Sequence, residues 1–261
     1  MNDRKKESLV LFSGGIDSTA ALLWMLDNTD DNIEVHHIIL KYRSNRWELE
    51  LEACDKIFKW MTKNKRSFEY TESIIDLGIE GGVLDMYIYM WLAGLKSQEK
   101  RGMLDRIVTG RLKPFNNKIS QRRKNRTERV EKMLEILVSH SFDEEEKVPR
   151  PMESPNQTIQ PEAFKPLLEM TKKEVIDSLP EELLKMCYYC RVPTLITEDD
   201  KRYQLRFLEQ DDFSIHDEYI DGKKVKEIVN CDECHSCWAV RRSLGLMDEE
   251  EIKMKKYRMM D

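Results

Sequence analysis

The stretch Leu9-Val10-Leu11-Phe12-Ser13-Gly14-Gly15-Ile16-Asp17-Ser18-Thr19 near the start of the chain decides the fold. An apolar run of strand length leads into Ser-Gly-Gly-x-Asp-Ser, and residues 20–25 have helical composition. Two adjacent glycines permit positive φ and let backbone N–H groups approach an anion, while the start of a helix directs further N–H groups to the same point. The stretch therefore predicts a strand, a tight turn and a helix, with a phosphate site at the turn.

The polar groups of this turn distinguish it from a Walker A loop. A Walker A loop has four residues between its glycines and then Gly-Lys-Ser/Thr, whose lysine contacts the outer phosphates. No lysine occurs in the turn here, which offers the hydroxyls of Ser13, Ser18 and Thr19 and the carboxylate of Asp17. That carboxylate could cap the helix or help to hold magnesium. A simple glycine turn with an N-cap is the alternative, but the order of strand, glycines, Asp, Ser and helix favours the phosphate site.

At these residues the chain resembles the PP-loop ATP pyrophosphatases, which cleave ATP between the α and β phosphates and adenylate a substrate. The resemblance implies that Asp17 and Ser18 are catalytic. It also implies that Gly110, at the end of a later strand, forms the opposite wall of the pocket. The predicted nucleotide-binding residues are Leu11, Ser13, Gly14, Gly15, Ile16, Asp17, Ser18, Thr19 and Gly110.

Apolar segments alternate between strand and helix patterns in the first half of the chain. Strands are predicted at 33–40, 68–71 and 106–109, and helices at 47–61 and 83–95. Strands separated by helices indicate right-handed crossovers, so we predict an α/β fold with a doubly wound, mostly parallel sheet. Ligands of such sheets bind beyond the carboxyl ends of the strands, which is where the glycine turn lies.

The composition is that of an ordinary soluble enzyme. The 261 residues have a net charge of −6, with 35% charged and 40% hydrophobic residues. This balance indicates neither a nucleic-acid coat nor a membrane-surface protein. The first apolar patch ends at the glycine turn, too early for a signal peptide, and no run approaches the roughly 20 apolar residues of a spanning helix. We expect a cytoplasmic protein.

Two segments in the middle of the chain have a different composition. Residues 111–126 are basic with few apolar anchors, which favours a solvated connection over a loop that closes on phosphates or nucleic acid. Residues 141–163 contain an acidic run and then four prolines, which indicates a linker. We therefore predict a nucleotide-binding domain at 1–140 and a helical C-terminal region at 164–261.

Five of the six cysteines lie in the final third of the chain, and three of them form Cys-x-x-Cys-x-x-Cys at Cys231, Cys234 and Cys237. In a cytoplasmic protein this clustering favours metal ligation over disulfides. Spacing leaves the fourth ligand open between Cys187 and Cys190, and it leaves the metal open between zinc and an iron–sulfur cluster. Cys54 is predicted to be a core residue.

The glycine turn together with this cysteine set resembles the 7-cyano-7-deazaguanine synthase family. Residues 179–184 through Cys190-Arg191-Val192-Pro193 are similar to the family segment from Leu-Pro-x-Glu-Leu to Ser-Cys-Arg-x-Pro. Thr171-Lys172-x-Glu174-Val175 is similar to the family's Lys-x-Glu-Ile/Val, and Arg46, Glu50 and Ala53 fall on its Arg-His…Glu…Ala pattern.

This resemblance implies a reaction and a set of cofactors. ATP would adenylate 7-carboxy-7-deazaguanine, ammonia would form the amide, and a second adenylation would give the nitrile, with Mg²⁺ as the ion on the pyrophosphate. The resemblance also implies a homodimer, no nucleic-acid partner, and substrate contacts from Arg46 and Arg111. A structural Zn²⁺ is implied at Cys190, Cys231, Cys234 and Cys237.

The chain differs from the family pattern in three places. About forty residues separate Cys190 from Cys231, and an Asp221-Gly222 pair predicts a hairpin within this insert at 191–230. The family's Pro-x-Arg-Asn stretch is absent at 79–85, and Arg111-Leu112-Lys113-Pro114 replaces a motif that follows Gly110 in the family. Two other functions stay open: adenylation of a tRNA base before thiolation, and nucleotide binding without catalysis. An amide end product is equally compatible with the motifs.

Overall fold

The computed structural model describes residues 4–41, 46–76, 85–100, 103–112, 128–129, 132, 161–204, 219–220 and 222–248. The basic residues 113–126 and most of the predicted linker, 141–160, lie outside these ranges, as does the segment 79–84.

A parallel five-stranded sheet takes four of its strands from the N-terminal half of the chain and the fifth from residues 162–164. Its strands are β1 (Glu7–Phe12), β2 (Asn32–Lys41), β3 (Glu69–Asp76), β4 (Arg106–Val108) and β5 (Glu162–Phe164). The order is β3-β2-β1-β4-β5, and every neighbouring pair is parallel. The predicted fold class is confirmed. The linker predicted to extend to residue 163 ends earlier, because residues 162 and 163 pair with β4.

Three helices cover the two faces of this sheet: α1 (Ile16–Asn28), α2 (Arg46–Asn64) and α3 (Asp85–Glu99). Alternate residues of β1 point to opposite faces, so that Val10 and Phe12 pack with α1 and α2, whereas Leu9 and Leu11 pack with α3. Sheets wound in this way have helices on both sides. None of the helices in the described ranges combines the length and the apolar character needed to span a bilayer.

The C-terminal region continues the core on the side of α1 and α2. It contains α4 (Lys172–Ser178), α5 (Glu181–Met186) and α6 (His235–Ser243). Its described part also forms an antiparallel sheet ordered β7-β6-β9-β8, from β6 (Thr194–Thr197), β7 (Arg202–Gln204), β8 (Tyr219–Ile220) and β9 (Lys223–Val229). Pairing of β8 with β9 forms the hairpin predicted for the insert, but β6 and β7 were not predicted.

A buried polar network lies between the sheet and α3. The Glu34 carboxylate accepts a hydrogen bond from the Thr71 hydroxyl (2.6 Å) and forms ion pairs with Lys100 (2.7 Å) and Lys96 (3.3 Å). Burial raises the pKa of Glu34, but the hydrogen bonds from Lys100 and Thr71 and the charge of Lys96 outweigh it and lower the pKa to about 2. Since the Thr71 hydroxyl donates to Glu34, it accepts from the Nδ1–H of His36 at 2.8 Å. Burial lowers the pKa of His36 to about 4.

We expect His36 to make the protein less stable in mild acid. Its pKa falls from 6.5 in the unfolded chain to about 4 in the folded one, so between these values the unfolded chain binds the proton more readily. The free energy of unfolding should therefore drop by about 2 kcal/mol between pH 7 and pH 5 on account of this residue. The range lies above the titration of Glu34. Urea denaturation at both pH values measures the effect.

The control for this experiment is His36→Asn, whose amide can donate to Thr71 but does not titrate. Its unfolding free energy should change less between pH 7 and pH 5 than that of the wild type. Equal changes in the two proteins would show that the protonation of His36 does not matter for stability.

Candidate active site

The glycine turn begins where β1 ends and has the geometry of an anion site. Gly14 adopts φ +68°, and Gly15 is the N-cap of α1. The first intrahelical hydrogen bond runs from the Thr19 N–H to the Gly15 carbonyl at 3.0 Å. The backbone N–H groups before Thr19 in the helix therefore have no carbonyl partner within the helix. They are directed at the glycine turn, where they could hold a phosphate. Of the two roles predicted for Asp17, that of a helix cap was wrong, because Gly15 occupies the N-cap position and no side chain makes a capping hydrogen bond.

Two hydroxyls hold the turn in shape. The Ser18 hydroxyl donates to the Gly15 carbonyl (3.0 Å) and accepts from the Ser13 N–H (3.3 Å). The hydroxyls of Ser13 and Ser18 lie 3.2 Å apart. Ser18 is buried, whereas Ser13 is half-buried at the mouth of the turn. The contact of either hydroxyl with pyrophosphate stays a prediction.

Gly110 lies against the first turn of α1. A Cβ atom at this position would be 2.5 Å from the Asp17 carbonyl carbon and 2.8 Å from the Ser18 nitrogen, so only glycine fits here without a shift of the backbone. Strands β1 and β4 are neighbours, and the strand order reverses its direction between them. A sheet of this kind binds its ligands in the crevice at such a reversal. The structure therefore brings the glycine turn and Gly110 together at that crevice.

Gly14 also packs closely on α2. A Cβ atom here would be 3.0 Å from the Glu50 carbonyl oxygen and 3.3 Å from the Ala53 Cβ. Arg46, in the first turn of α2, forms an ion pair with the Glu50 carboxylate at 2.8 Å. The structure thus places Arg46 near the turn and Arg111 directly after Gly110, and their contacts with a substrate stay predictions. The buried side chains of Leu11 and Ile16 point into the core and leave only their backbone for a nucleotide.

A lysine from a later part of the chain brings a positive charge to the start of α1. The Lys172 ammonium donates to the Asp17 carboxylate at 2.5 Å, and both side chains are partly shielded from solvent. Thr171 and Glu174 form a capping box that starts α4 at Lys172 and fixes the direction of its first turn. In the sequence, Lys172 is distinguished only as part of a family pattern. The capping box was visible in the sequence, but the loop that Lys172 faces depends on how α4 packs against α1.

Four cysteines converge at the other end of the C-terminal region. The Sγ atoms of Cys190, Cys231, Cys234 and Cys237 all lie within 4.8 Å of one another. Backbone N–H groups donate to three of these sulfurs, from Cys231 to Cys190 (3.3 Å), from Cys234 to Cys231 (3.3 Å) and from Cys237 to Cys234 (3.5 Å). N–H groups directed at sulfur favour thiolates. This cluster could therefore hold a metal ion.

The two remaining cysteines lie outside the cluster. Cys187 is buried and donates its thiol to the Leu183 carbonyl at 3.2 Å. Burial raises the pKa of Cys187 to about 11 and raises that of Cys54 still further. Both groups are therefore protonated thiols at neutral pH, and a protonated, buried thiol is a poor nucleophile. The structure thus separates Cys187 from the ligand set that spacing alone had left open.

Comparisons with known proteins find relatives for the N-terminal part of the chain. Residues 7–79 match the family model described as queuosine biosynthesis protein QueC. The resemblance found in the sequence is confirmed for this part of the chain. The 7-cyano-7-deazaguanine synthase 1 of Desulfitobacterium hafniense (strain Y51) is 44% identical over 61 residues, which are 23% of this chain. The chain spans about a quarter (26%) of the length of this curated relative.

A search of solved structures finds the U34-tRNA thiolase NcsA from Methanococcus maripaludis with its [4Fe-4S] cluster. It is 16% identical, and the alignment covers 70% of this chain and 57% of the thiolase at a TM-score of 0.38.

The packing around Gly14 leads to a prediction with a matched control. Gly14→Ala combines a left-handed φ with a Cβ that meets the α2 backbone, so we expect a loss of about 2–4 kcal/mol in unfolding free energy. Gly222→Ala has a similar φ of +71° but open space around the new methyl group, so the expected loss is about 1 kcal/mol. Urea denaturation of both variants tests this. Equal losses would mean that the contact of Gly14 with α2 adds nothing to the backbone effect.

Proposed function

We propose that the protein is an ATP-dependent ligase that converts 7-carboxy-7-deazaguanine to 7-cyano-7-deazaguanine and releases AMP and pyrophosphate. The observation that carries this proposal is the match of residues 7–79 to the QueC family, because this range contains the glycine turn and the helix that packs on it. The convergence of Gly110 and Lys172 on the same turn supports it. The proposal divides the chain into a nucleotide-binding part and a C-terminal part with a metal site.

Each of the two activations needs the departing pyrophosphate to be held while AMP is transferred to oxygen. The N–H groups at the start of α1 and the Ser13 hydroxyl would bind its oxygens, and the Lys172 ammonium would neutralise part of its charge. Ammonia then displaces AMP from the acyl-adenylate, and a second transfer to the amide oxygen allows AMP to leave as the nitrile forms. The chain contributes mainly orientation and fixed positive charge.

Asp17 would hold Mg²⁺, which would screen the charge of the pyrophosphate. Arg46 and Arg111 would bind the acid substrate. Free ammonia would be the nitrogen donor, and the protein would act as a cytoplasmic homodimer without nucleic acid.

We propose zinc as the metal of the cysteine cluster. Four thiolates at about 2.3 Å from one ion lie roughly 3.8 Å apart in a tetrahedron, and the sulfurs of Cys190 and Cys231 are 3.6 Å apart. A cubane cluster interposes several iron atoms between its thiolates and needs them farther apart. A zinc ion here would join residue 190 to residues 231–237 across the insert and so stabilise the C-terminal region.

The direct test of the function is incubation with ATP, Mg²⁺, ammonium and 7-carboxy-7-deazaguanine, followed by mass analysis. Nitrile together with AMP and pyrophosphate is the expected result. An amide alone would restrict the activity to the first half of the reaction. Bound ATP without pyrophosphate release would contradict catalysis and favour a nucleotide-binding protein.

The charge supplied by Lys172 can be tested by substitution. Lys172→Gln removes the only cation described in contact with Asp17, so we expect about a 100-fold lower kcat/KM for pyrophosphate release. Lys173→Gln is the matched control, because Lys173 is exposed and pairs with Asp177 on the surface of α4. Its activity should stay within about twofold of the wild type. Equal activities of the two variants would show that the charge of Lys172 does not contribute to pyrophosphate release.

The metal ligands can be tested by comparing neighbouring cysteines. Cys190→Ser should reduce bound zinc to a small fraction of one equivalent, whereas Cys187→Ser should retain it, because only Cys190 lies in the cluster. Elemental analysis of the purified proteins gives the zinc content. Cys187→Ser should also keep its pyrophosphate release, because Cys187 is a buried, protonated thiol. Loss of pyrophosphate release with zinc retained would instead favour a role of this sulfur in the thiolation of a tRNA base.

A further inference from the structure

A short segment joins the cysteine cluster directly to the glycine turn, which is called the phosphate turn because the proposed function has the nucleotide phosphates bind there. The backbone N–H of Tyr188 donates to the Gly14 carbonyl at 2.9 Å. The Tyr188 carbonyl oxygen lies next to Gly15, 3.4 Å from the position of a Cβ on that residue. Two residues later, Cys190 contributes its sulfur to the cluster. Only one residue therefore separates the ligand from the residue that contacts the turn.

The hydrogen bond from Tyr188 fixes the direction of an amide in the turn. The Gly14 carbonyl and the Gly15 N–H belong to one planar trans peptide, so they point in opposite directions. When the Gly14 oxygen is held toward Tyr188, the Gly15 N–H must point away from it. Glycine at position 14 has no Cβ to limit its rotation, and an unheld turn would lose this orientation easily.

The cluster holds the other end of the same segment. The Cys231 N–H donates to the Cys190 sulfur (3.3 Å), and the Arg191 N–H donates to the Cys234 sulfur (3.4 Å). A metal ion bound by the four sulfurs would add covalent-strength bonds across this junction. The segment 188–191 would then have one position relative to Cys234 and to α6, which begins at the following residue.

A second connection runs through the helices. Val240 of α6 packs in the same buried core as Val175 and Ile176 of α4. Helix α4 begins with Lys172, which contacts Asp17 in the first turn of α1. The cluster is therefore connected to two groups of the C-terminal region that contact the phosphate turn. These groups are the Tyr188 backbone, through the chain itself, and the Lys172 ammonium, through the packing of α6 with α4.

We infer that metal binding at the four cysteines orders the phosphate turn and is coupled to nucleotide binding through Tyr188. The inference rests on the proposed function in one respect, namely that the nucleotide binds at this turn. Coupling between two binding sites is reciprocal, so bound nucleotide tightens metal binding by the same factor as the metal tightens nucleotide binding.

The first experiment uses the wild-type protein with and without zinc. Titration calorimetry with the α,β-methylene analogue of ATP and Mg²⁺ gives the dissociation constant, which should be at least about 5-fold weaker after zinc removal. In the reverse direction, a saturating concentration of the analogue should tighten zinc binding, measured against a competing chelator, by the same factor. Equal nucleotide affinities with and without zinc would overturn the coupling. Failure of the zinc-loaded protein to bind the analogue would overturn the proposed function and the coupling with it.

The second experiment keeps zinc bound and changes only the hydrogen bond. Tyr188→Pro removes the ring and the N–H, whereas Tyr188→Ala removes the ring and keeps the N–H. Cys187 has an extended backbone (φ −68°, ψ 134°), the conformation that a residue before proline prefers. At equal zinc content, Tyr188→Pro should bind the analogue at least about 5-fold more weakly than Tyr188→Ala. Equal affinities of the two variants would overturn the role of Tyr188. Both variants contain zinc, so this result counts even if the zinc-free protein fails to fold.

Discussion

The left-handed turn at Gly14 is the constraint on which the site depends. Three parts of the chain meet there: the end of β1, the N-terminal half of α2, and the segment after α5. Contact with the α2 backbone excludes a side chain, and the Tyr188 N–H holds the carbonyl. These contacts together define the backbone conformation of the turn. Its amides are directed by the surrounding structure before any ligand arrives, and such preorganisation is what makes fixed dipoles effective toward a developing charge.

The site obtains its positive charge from outside the turn. In a Walker A loop the lysine follows the glycines in sequence and approaches the phosphates from the same helix. Here Lys172 comes from a helix more than 150 residues later and contacts Asp17. An acid in the first turn of a helix is favoured by the helix dipole, and the ammonium compensates the charge it brings to an anion site. The position of this ammonium beside the glycine turn therefore depends on the packing of the C-terminal region.

The C-terminal region is itself held by two kinds of interaction. Buried residues of α4 and α5 pack on the core of α1 and α2, while hydrogen bonds to the cysteine sulfurs connect the two ends of the insert. The insert sheet adds a small apolar contact of its own, in which Leu195 and Ile220 pack near Leu49 of α2. A metal ion in the cluster would thus close a segment of some forty residues, whose described part forms only a small apolar cluster of its own. Removing it would affect the position of Tyr188 before it affected the parallel sheet.

The sequence by itself determined the local chemistry: strand, glycine turn and helix at 9–25, the alternation of the parallel sheet, and the three cysteines at two-residue spacing. Each of these is encoded within a few neighbouring residues, so periodicity, turn residues and spacing reveal it. Tertiary structure alone decided which distant groups meet. It directed Lys172 to Asp17 and Tyr188 to Gly14, and it paired β6 with the hairpin that the sequence had indicated and β7 with β6. It also brought Cys190 to the other three cysteines, which spacing alone had left open and only the family resemblance had implied. These choices depend on the packing of α4, α5 and α6 against one buried core, and no local pattern encodes that arrangement.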